Sequence, residues 1–356
     1  METMTIRTQT GHYPIYVGRH LLSKTNERIQ SDYTGYYIVT DSHVAPHYLP
    51  IVEASLNGRK VYHYIVPAGE QSKNLEEYSK IITDMLEKKL DRLCCVIALG
   101  GGVVGDLAGF VAATCLRGVA FIQMPTTLLA HDSSVGGKVG IDHPLGKNLI
   151  GAFYPPATVI YDTSTLETLP DREMRSGFAE LAKHSLISSP DFFNCLRKSI
   201  PDQSKLTAER VSAFLTRGIR VKAKIVELDE HEQGPRTFLN FGHTLGHAIE
   251  KELGFGKLTH GECVATGMIF AMKLSEACFG VELPVEEVKL WFDKLGLPVR
   301  VPDVLRADQL MEQMKYDKKN KNGQYHFVLM HAIGDLTTRQ VPEKLVRQTL
   351  ETFIQS

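Results

Sequence analysis

The segment His243-Thr244-Leu245-Gly246-His247 sets two imidazoles at i and i+4, a spacing that puts both on one face of a helix. A third imidazole follows in His260-Gly261-Glu262, and Ala179-Glu180-Leu181-Ala182-Lys183-His184 offers a carboxylate on another helical segment. Two His with one Glu is a common set for a catalytic zinc, leaving coordination positions for substrate oxygens. The first His is not followed by the Glu of a metalloprotease His-Glu-x-x-His, so either His243 or His247 can be the ligand. The other would then work as an acid, a base or a phosphate contact. Surface or core histidines are the alternative for such a pair; the third His and the nearby glycines weigh against it.

A second feature lies far upstream. The apolar run Cys94–Leu99 leads into Gly100-Gly101-Gly102-Val103-Val104-Gly105-Asp106 and then into the helical pattern Leu107–Cys115. Gly100, Gly102 and Gly105 have the spacing of a dinucleotide fingerprint, in which the backbone turns tightly and its N–H groups approach a pyrophosphate at a helix N-terminus. A plain tight turn is the competing reading. Asp41, after the strand-like Tyr36–Thr40, is placed to accept from a ribose hydroxyl, which favours NAD over NADP. Asp132, Lys138, Lys147 and Asn148 fall in two hydroxyl- and glycine-rich stretches, Pro125–Lys138 and Pro144–Gly151. Two Gly-Lys steps so close together indicate an anion site.

These groups need a scaffold. Up to about residue 165, strand-like runs (Tyr13–Val17, Tyr36–Thr40, Val61–Val66, Cys94–Leu99, Thr158–Tyr161) alternate with helical periods such as Leu75–Lys89. That alternation predicts a Rossmann-like, doubly wound α/β domain over 1–165. The remainder, 166–356, reads as a mainly α-helical domain, with a strand at Tyr325–Met330 and a closing helix at Pro342–Ile354. A formal net charge of -1 argues against nucleic acid or an anionic membrane as partner. No signal peptide or membrane span is visible, and six cysteines without disulfide or zinc-finger spacing fit a reducing, cytoplasmic setting.

Taken together, the motifs resemble those of the 3-dehydroquinate synthases, the sugar-phosphate cyclases of the shikimate pathway. The matching stretches are Pro67–Lys73, Gly100–Asp106, Arg117-Gly118-Val119, Asp132–Lys138, Gly146–Gly151, Ala179–Lys183, Arg236–His247 and His260–Cys263, in family order over nearly the whole chain. One departure is that a single residue, His131, separates Ala130 from Asp132 where the family usually has two. Either Asp132 shifts relative to Thr127, or a helix start absorbs the deletion.

The resemblance implies an NAD- and metal-dependent lyase, using Zn²⁺ or Co²⁺, that converts 3-deoxy-D-arabino-heptulosonate 7-phosphate to 3-dehydroquinate and phosphate. Its steps would be transient oxidation by NAD, phosphate elimination, re-reduction and intramolecular aldol closure. It implies Glu180, His243 and His260 as metal ligands, with His247 outside that set near the phosphate. Asp41, Glu70, Lys73, Gly101, Gly102, Asp106, Thr126, Thr127, Lys147 and Thr168 would contact NAD. Lys138, Lys183, His247, Asp132, Arg236 and Asn240 would be catalytic, and Asn148, Lys222 and Lys318 (or the adjacent Lys319) would bind substrate. Arg117 would reach the neighbouring subunit's site in a homodimer. The rivals are a metal-dependent polyol dehydrogenase, a related cyclase acting on a neutral sugar phosphate, and a non-catalytic binding protein.

Overall fold

The structure is a computed structural model, and it describes residues 1–9, 11–254, 256–315 and 324–355. Lys318 and Lys319 lie outside the described residues. The chain divides into two compact units, Met1–Leu169 and Pro170–Ser356.

The first unit runs β1 (Glu2–Thr8), β2 (Gly11–Gly18), β3 (Tyr36–Asp41), α1 (Ala45–Ser55), β4 (Val61–Val66), α2 (Leu75–Glu87), β5 (Cys95–Gly100), α3 (Gly102–Thr114), β6 (Ala120–Pro125), α4 (Ala130–Ser133), β7 (Lys138–His143), β8 (Gly146–Phe153) and β9 (Thr158–Asp162). Seven strands form one sheet in the order β1-β2-β9-β6-β5-β3-β4, parallel except for the β1–β2 pair. Alternate residues explain the burial of both faces. Tyr37, Val39, Val96 and Ala98 pack with Leu107 and Val111 of α3. Tyr36, Ile38, Cys95, Ile97 and Leu99 pack on the other face with Leu49 and Val52 of α1. A strand buried on both sides reads as a continuous apolar run, which is what β5 is.

Strand order reverses between β3 and β5: β4 lies beyond β3 on one side, and β6 and β9 beyond β5 on the other. In an open α/β sheet a ligand crevice forms outside the carboxyl ends of the strands at such a reversal. Asp41 ends β3, and Gly100–Gly102 joins β5 to α3. The β7–β8 hairpin is a separate two-stranded sheet.

The second unit holds α5 (Asp171–Ser188), α6 (Pro190–Ser199), α7 (Ala208–Leu228), α8 (His243–Leu253), α9 (His260–Phe279), α10 (Val285–Lys294), α11 (Ala307–Lys315), the antiparallel pair β10 (Tyr325–Ala332) and β11 (Asp335–Val341), and α12 (Glu343–Gln355). Helix α9 is its axis, with buried residues around its whole circumference from Gly261 to Ser275. Thr259 and Glu262 close a capping box that fixes where α9 begins, and so where His260 sits. Gly267 lets α8 approach α9: a Cβ there would lie 1.9 Å from the Gly242 carbonyl oxygen. No described helix is long and apolar enough to cross a membrane.

Candidate active site

Three elements of the second unit bring the histidines and Glu180 together. Helix α5 carries Glu180, 1% exposed, α8 begins with His243, and α9 begins with His260. Nε2 of His243 and Nε2 of His260 each lie 3.5 Å from the same oxygen, Glu180 Oε1. The other oxygen, Oε2, is held by the buried Lys183 ammonium one turn along α5. His247 projects from the same face of α8 as His243, their rings 5.3 Å apart, and one nitrogen from each of His243, His247 and His260 lies within 4.8 Å of the others.

This donor set fits a divalent cation. Ligand atoms bound at ~2.0–2.1 Å around a tetrahedral zinc stand about 3.4 Å apart, close to the spacing of the Glu180 oxygen from both imidazoles. The rings are also oriented: Nδ1 of His243 is 3.2 Å from the Phe241 carbonyl, and Nδ1 of His260 is 3.4 Å from Glu250 Oε2. Burial and the nearby Lys183 ammonium push His243 well below the usual histidine range. Burial also works against charging His260, but Glu180 and Glu250 outweigh it and raise this group to about 9.

Two further buried cations accompany Lys183: Lys222 on α7, 6% exposed, and Arg236, 1% exposed. The turn from Pro235 to Asn240 packs on both α5 and α7. Arg236 donates through Nη1 to the Glu230 carbonyl, and its loop is organised by Asp229, which accepts from the backbone N–H groups of Gln233, Gly234 and Arg236 at 2.9, 2.7 and 3.0 Å. Burial would raise the Asp229 pKa, but those bonds lower it. Asn240 donates to Glu232 Oε1 at 2.7 Å. Sequence reasoning singled out none of Asp229, Glu232 or Glu250; a carboxylate in a loop or a last helical turn reads as solvated surface.

In the first unit the glycine loop has the features a pyrophosphate requires. No side chain caps α3, so its first N–H groups are left for a ligand. A Cβ on Gly101 would stand 2.9 Å from Thr127 Cγ2. Thr126 donates its backbone N–H to the Gly100 carbonyl at 3.0 Å, while its Oγ1 is buried with no hydrogen-bond partner. Asp41 accepts from the N–H groups of His43 and Val44, both on Oδ1. Thr168 is exposed, its hydroxyl 2.6 Å from that of Tyr48 on α1.

Lys73 lies at the centre of a network. Its buried ammonium donates to Asp106 Oδ2 at 2.6 Å and to Asn148 Oδ1 at 2.5 Å, with Glu70 at 3.8 Å. Burial would lower the Lys73 pKa, yet Asp106 and Glu70 raise it. Lys147 approaches Glu70 at 3.5 Å, and the Asn148 N–H donates to Asp142, whose carboxyl burial pushes up. Lys138 is exposed at the start of β7. Arg117 is exposed at φ 70°, directly after Leu116 at φ 52°, a pair of left-handed residues that strains the turn after α3. Ala130, His131 and Asp132 donate their N–H groups to the carbonyls of Thr127, Leu128 and Leu129, so this segment is wound as a helix start.

A parallel sheet whose strand order reverses between β3 and β5, followed by a helical unit with a His/Glu cluster, is the fold of the sugar-phosphate cyclases. It is similar to 2-deoxy-scyllo-inosose synthase complexed with carbaglucose-6-phosphate, NAD⁺ and Co²⁺ (TM-score 0.90, 25% identity, 99% of this chain and 100% of that one). It is similar too to 2-epi-5-epi-valiolone synthase from Streptomyces hygroscopicus subsp. jinggangensis 5008 with NAD⁺ and Zn²⁺ bound (TM-score 0.86, 25% identity, 96% and 97%). Family models for the N-terminal and C-terminal regions of 3-dehydroquinate synthase match residues 63–176 and 177–320, and the 3-dehydroquinate synthase of Halalkalibacterium halodurans is 48% identical over 100% of this chain and 99% of its own length. The chain belongs to the 3-dehydroquinate synthase family and is an enzyme.

Proposed function

We propose that the chain converts 3-deoxy-D-arabino-heptulosonate 7-phosphate to 3-dehydroquinate and inorganic phosphate, with NAD and one divalent cation, zinc or cobalt. When bound, NAD supplies a hydride acceptor that is restored within each cycle, and the cation supplies Lewis-acid polarisation of a substrate hydroxyl. Glu180, His243 and His260 hold the cation. The N–H groups of the Gly101–Gly102 loop and of the first turn of α3 hold the pyrophosphate. Asp41 keeps Oδ2 for a ribose hydroxyl, and its charge would repel a 2′-phosphate. Glu70, Lys73, Asp106, Thr126, Thr127, Lys147 and Thr168 complete the nucleotide contacts.

Lys138, Asn148 and His247 bind the substrate phosphate and stabilise the charge that grows on it as it leaves. Arg117 comes from the neighbouring subunit of a homodimer, a role that suits its exposure on a strained turn. Asp132 and Lys183 orient the reacting hydroxyls, and Lys318 (with Lys319 as its rival) adds a further substrate contact. Lys222, Arg236 and Asn240 receive the substrate carboxylate and hydroxyls, where a planar guanidinium pairs with two carboxylate oxygens. We place the reaction in the cytoplasm, consistent with thiols that are all unbridged among the described residues.

The observation that carries this reading is Arg236, a guanidinium only 1% exposed. Held in place through the Glu230 carbonyl, its planar fork suits a substrate carboxylate, a group that a neutral sugar phosphate lacks. The test is incubation with the heptulosonate phosphate, catalytic NAD and Zn²⁺. Equimolar phosphate and 3-dehydroquinate without net NADH support the reading; steady NADH growth on a polyol, with no phosphate release, refutes it.

A further inference from the structure

We propose that Glu250 is a positioning residue for the metal site: its carboxylate accepts the Nδ1–H of His260 and so fixes that ring with Nε2 turned to Glu180. The proposal rests on the reading of Glu180, His243 and His260 as ligands. Glu250 sits in α8, two turns after His243, and is 7% exposed. A carboxylate withdrawn from water needs a compensating partner. Its Oε2 stands 3.4 Å from His260 Nδ1, while Nε2 of the same ring is 3.5 Å from Glu180 Oε1. The imidazole therefore lies between two buried carboxylates, one on each nitrogen.

The two ligand histidines differ in how they are held. His243 has a side chain only 10% exposed, packed at the start of α8, and its Nδ1 faces a backbone carbonyl that no mutation can remove. His260 is 31% exposed and occupies the first position of α9, where neighbouring turns constrain a ring least. Its orientation depends correspondingly on a side-chain partner. A hydrogen-bond acceptor on the second nitrogen fixes the tautomer and raises the basicity of the metal-binding one. Gln can still accept a bond from His260 but lacks the charge; Ala removes the acceptor.

The experiment measures Zn²⁺ and Co²⁺ dissociation constants by chelator competition on metal-stripped enzyme. Wild type is compared with Glu250→Gln, Glu250→Ala and His260→Ala, and NAD affinity serves as the folding control. The expected loss is graded, roughly 10-fold for Gln and up to about 100-fold for Ala, with a shifted Co²⁺ absorption band. Affinities of both Glu250 variants within about twofold of wild type, with His260→Ala still metal-deficient, overturn the role of Glu250 alone. Wild-type metal binding in His260→Ala overturns the ligand reading beneath it. If the Ala variant fails to fold, the near-isosteric Gln variant decides.

Discussion

His260 Nε2 lies 3.5 Å from Glu180 Oε1 although 80 positions of chain separate the two residues, and His243 Nε2 meets that oxygen at the same distance. One carboxylate oxygen shared by imidazoles from two helices is the arrangement that a cation at their centre would complete. Lys183 secures the second oxygen.

Metal content should follow this geometry. His243→Ala and His260→Ala should reduce bound zinc from about one per chain to a small fraction of that, as loss of one ligand in a three-ligand site requires. His247→Ala should keep its zinc and lose turnover instead. Elemental analysis of the purified variants beside steady-state rates makes the distinction, and full zinc occupancy in His260→Ala would remove it as a ligand.

Lys138→Ala should lower turnover on the order of 10² to 10⁴, the cost of removing one charged donor from a phosphate that gains charge in the transition state. NAD affinity should stay as in wild type, because Lys138 starts β7 and not the glycine loop. Unchanged turnover in Lys138→Ala would reject its role.

The close approach of α8 to α9 makes Gly267→Ala a stringent probe. Its new Cβ would fall 1.9 Å from the Gly242 carbonyl oxygen, so the helices must separate. Overpacking of this kind costs about 1–3 kcal/mol or more. A lowered melting temperature together with weakened zinc binding is expected; an unaltered melting curve would mean that the helices yield without cost.

Lys73 gives a pH signature. Its pKa is raised above the ordinary 10.5 by Asp106 and Glu70 against the opposing effect of burial. A raised folded-state pKa contributes stability that is fully present below the unfolded value and is lost as pH rises through the folded one. Lys73→Met leaves a carboxylate pair without its cation and should cost about 3–5 kcal/mol near neutral pH. The difference from wild type should shrink only above the ordinary lysine range, as denaturant titrations at several pH values would show. A difference that shrinks on acidification from neutral to mildly acidic pH would contradict this assignment.

Much of this was legible in the sequence, for physical reasons that also mark where legibility stops. Cys95–Gly100 is buried on both faces, so nothing polar interrupts it before the glycines. The i, i+4 spacing of His243 and His247 survives any tertiary context. By contrast β11, Asp335–Val341, has polar residues at most positions, and its pairing with β10 comes from partners elsewhere in the chain. Helix α1 carries Pro50 inside its span, which obscures its helical period. Contacts such as Glu250 with His260 or Glu232 with Asn240 leave no spacing rule to read, because they depend on how two segments meet.

The most direct test of the central claim, an oxidation that is reversed within one turnover, uses substrate deuterated at C5, the carbon whose alcohol gives up hydride. The account predicts 3-dehydroquinate that retains the label, with equimolar phosphate and no deuterium in the NAD pool. Product that has lost the label to NADH or to solvent would contradict it.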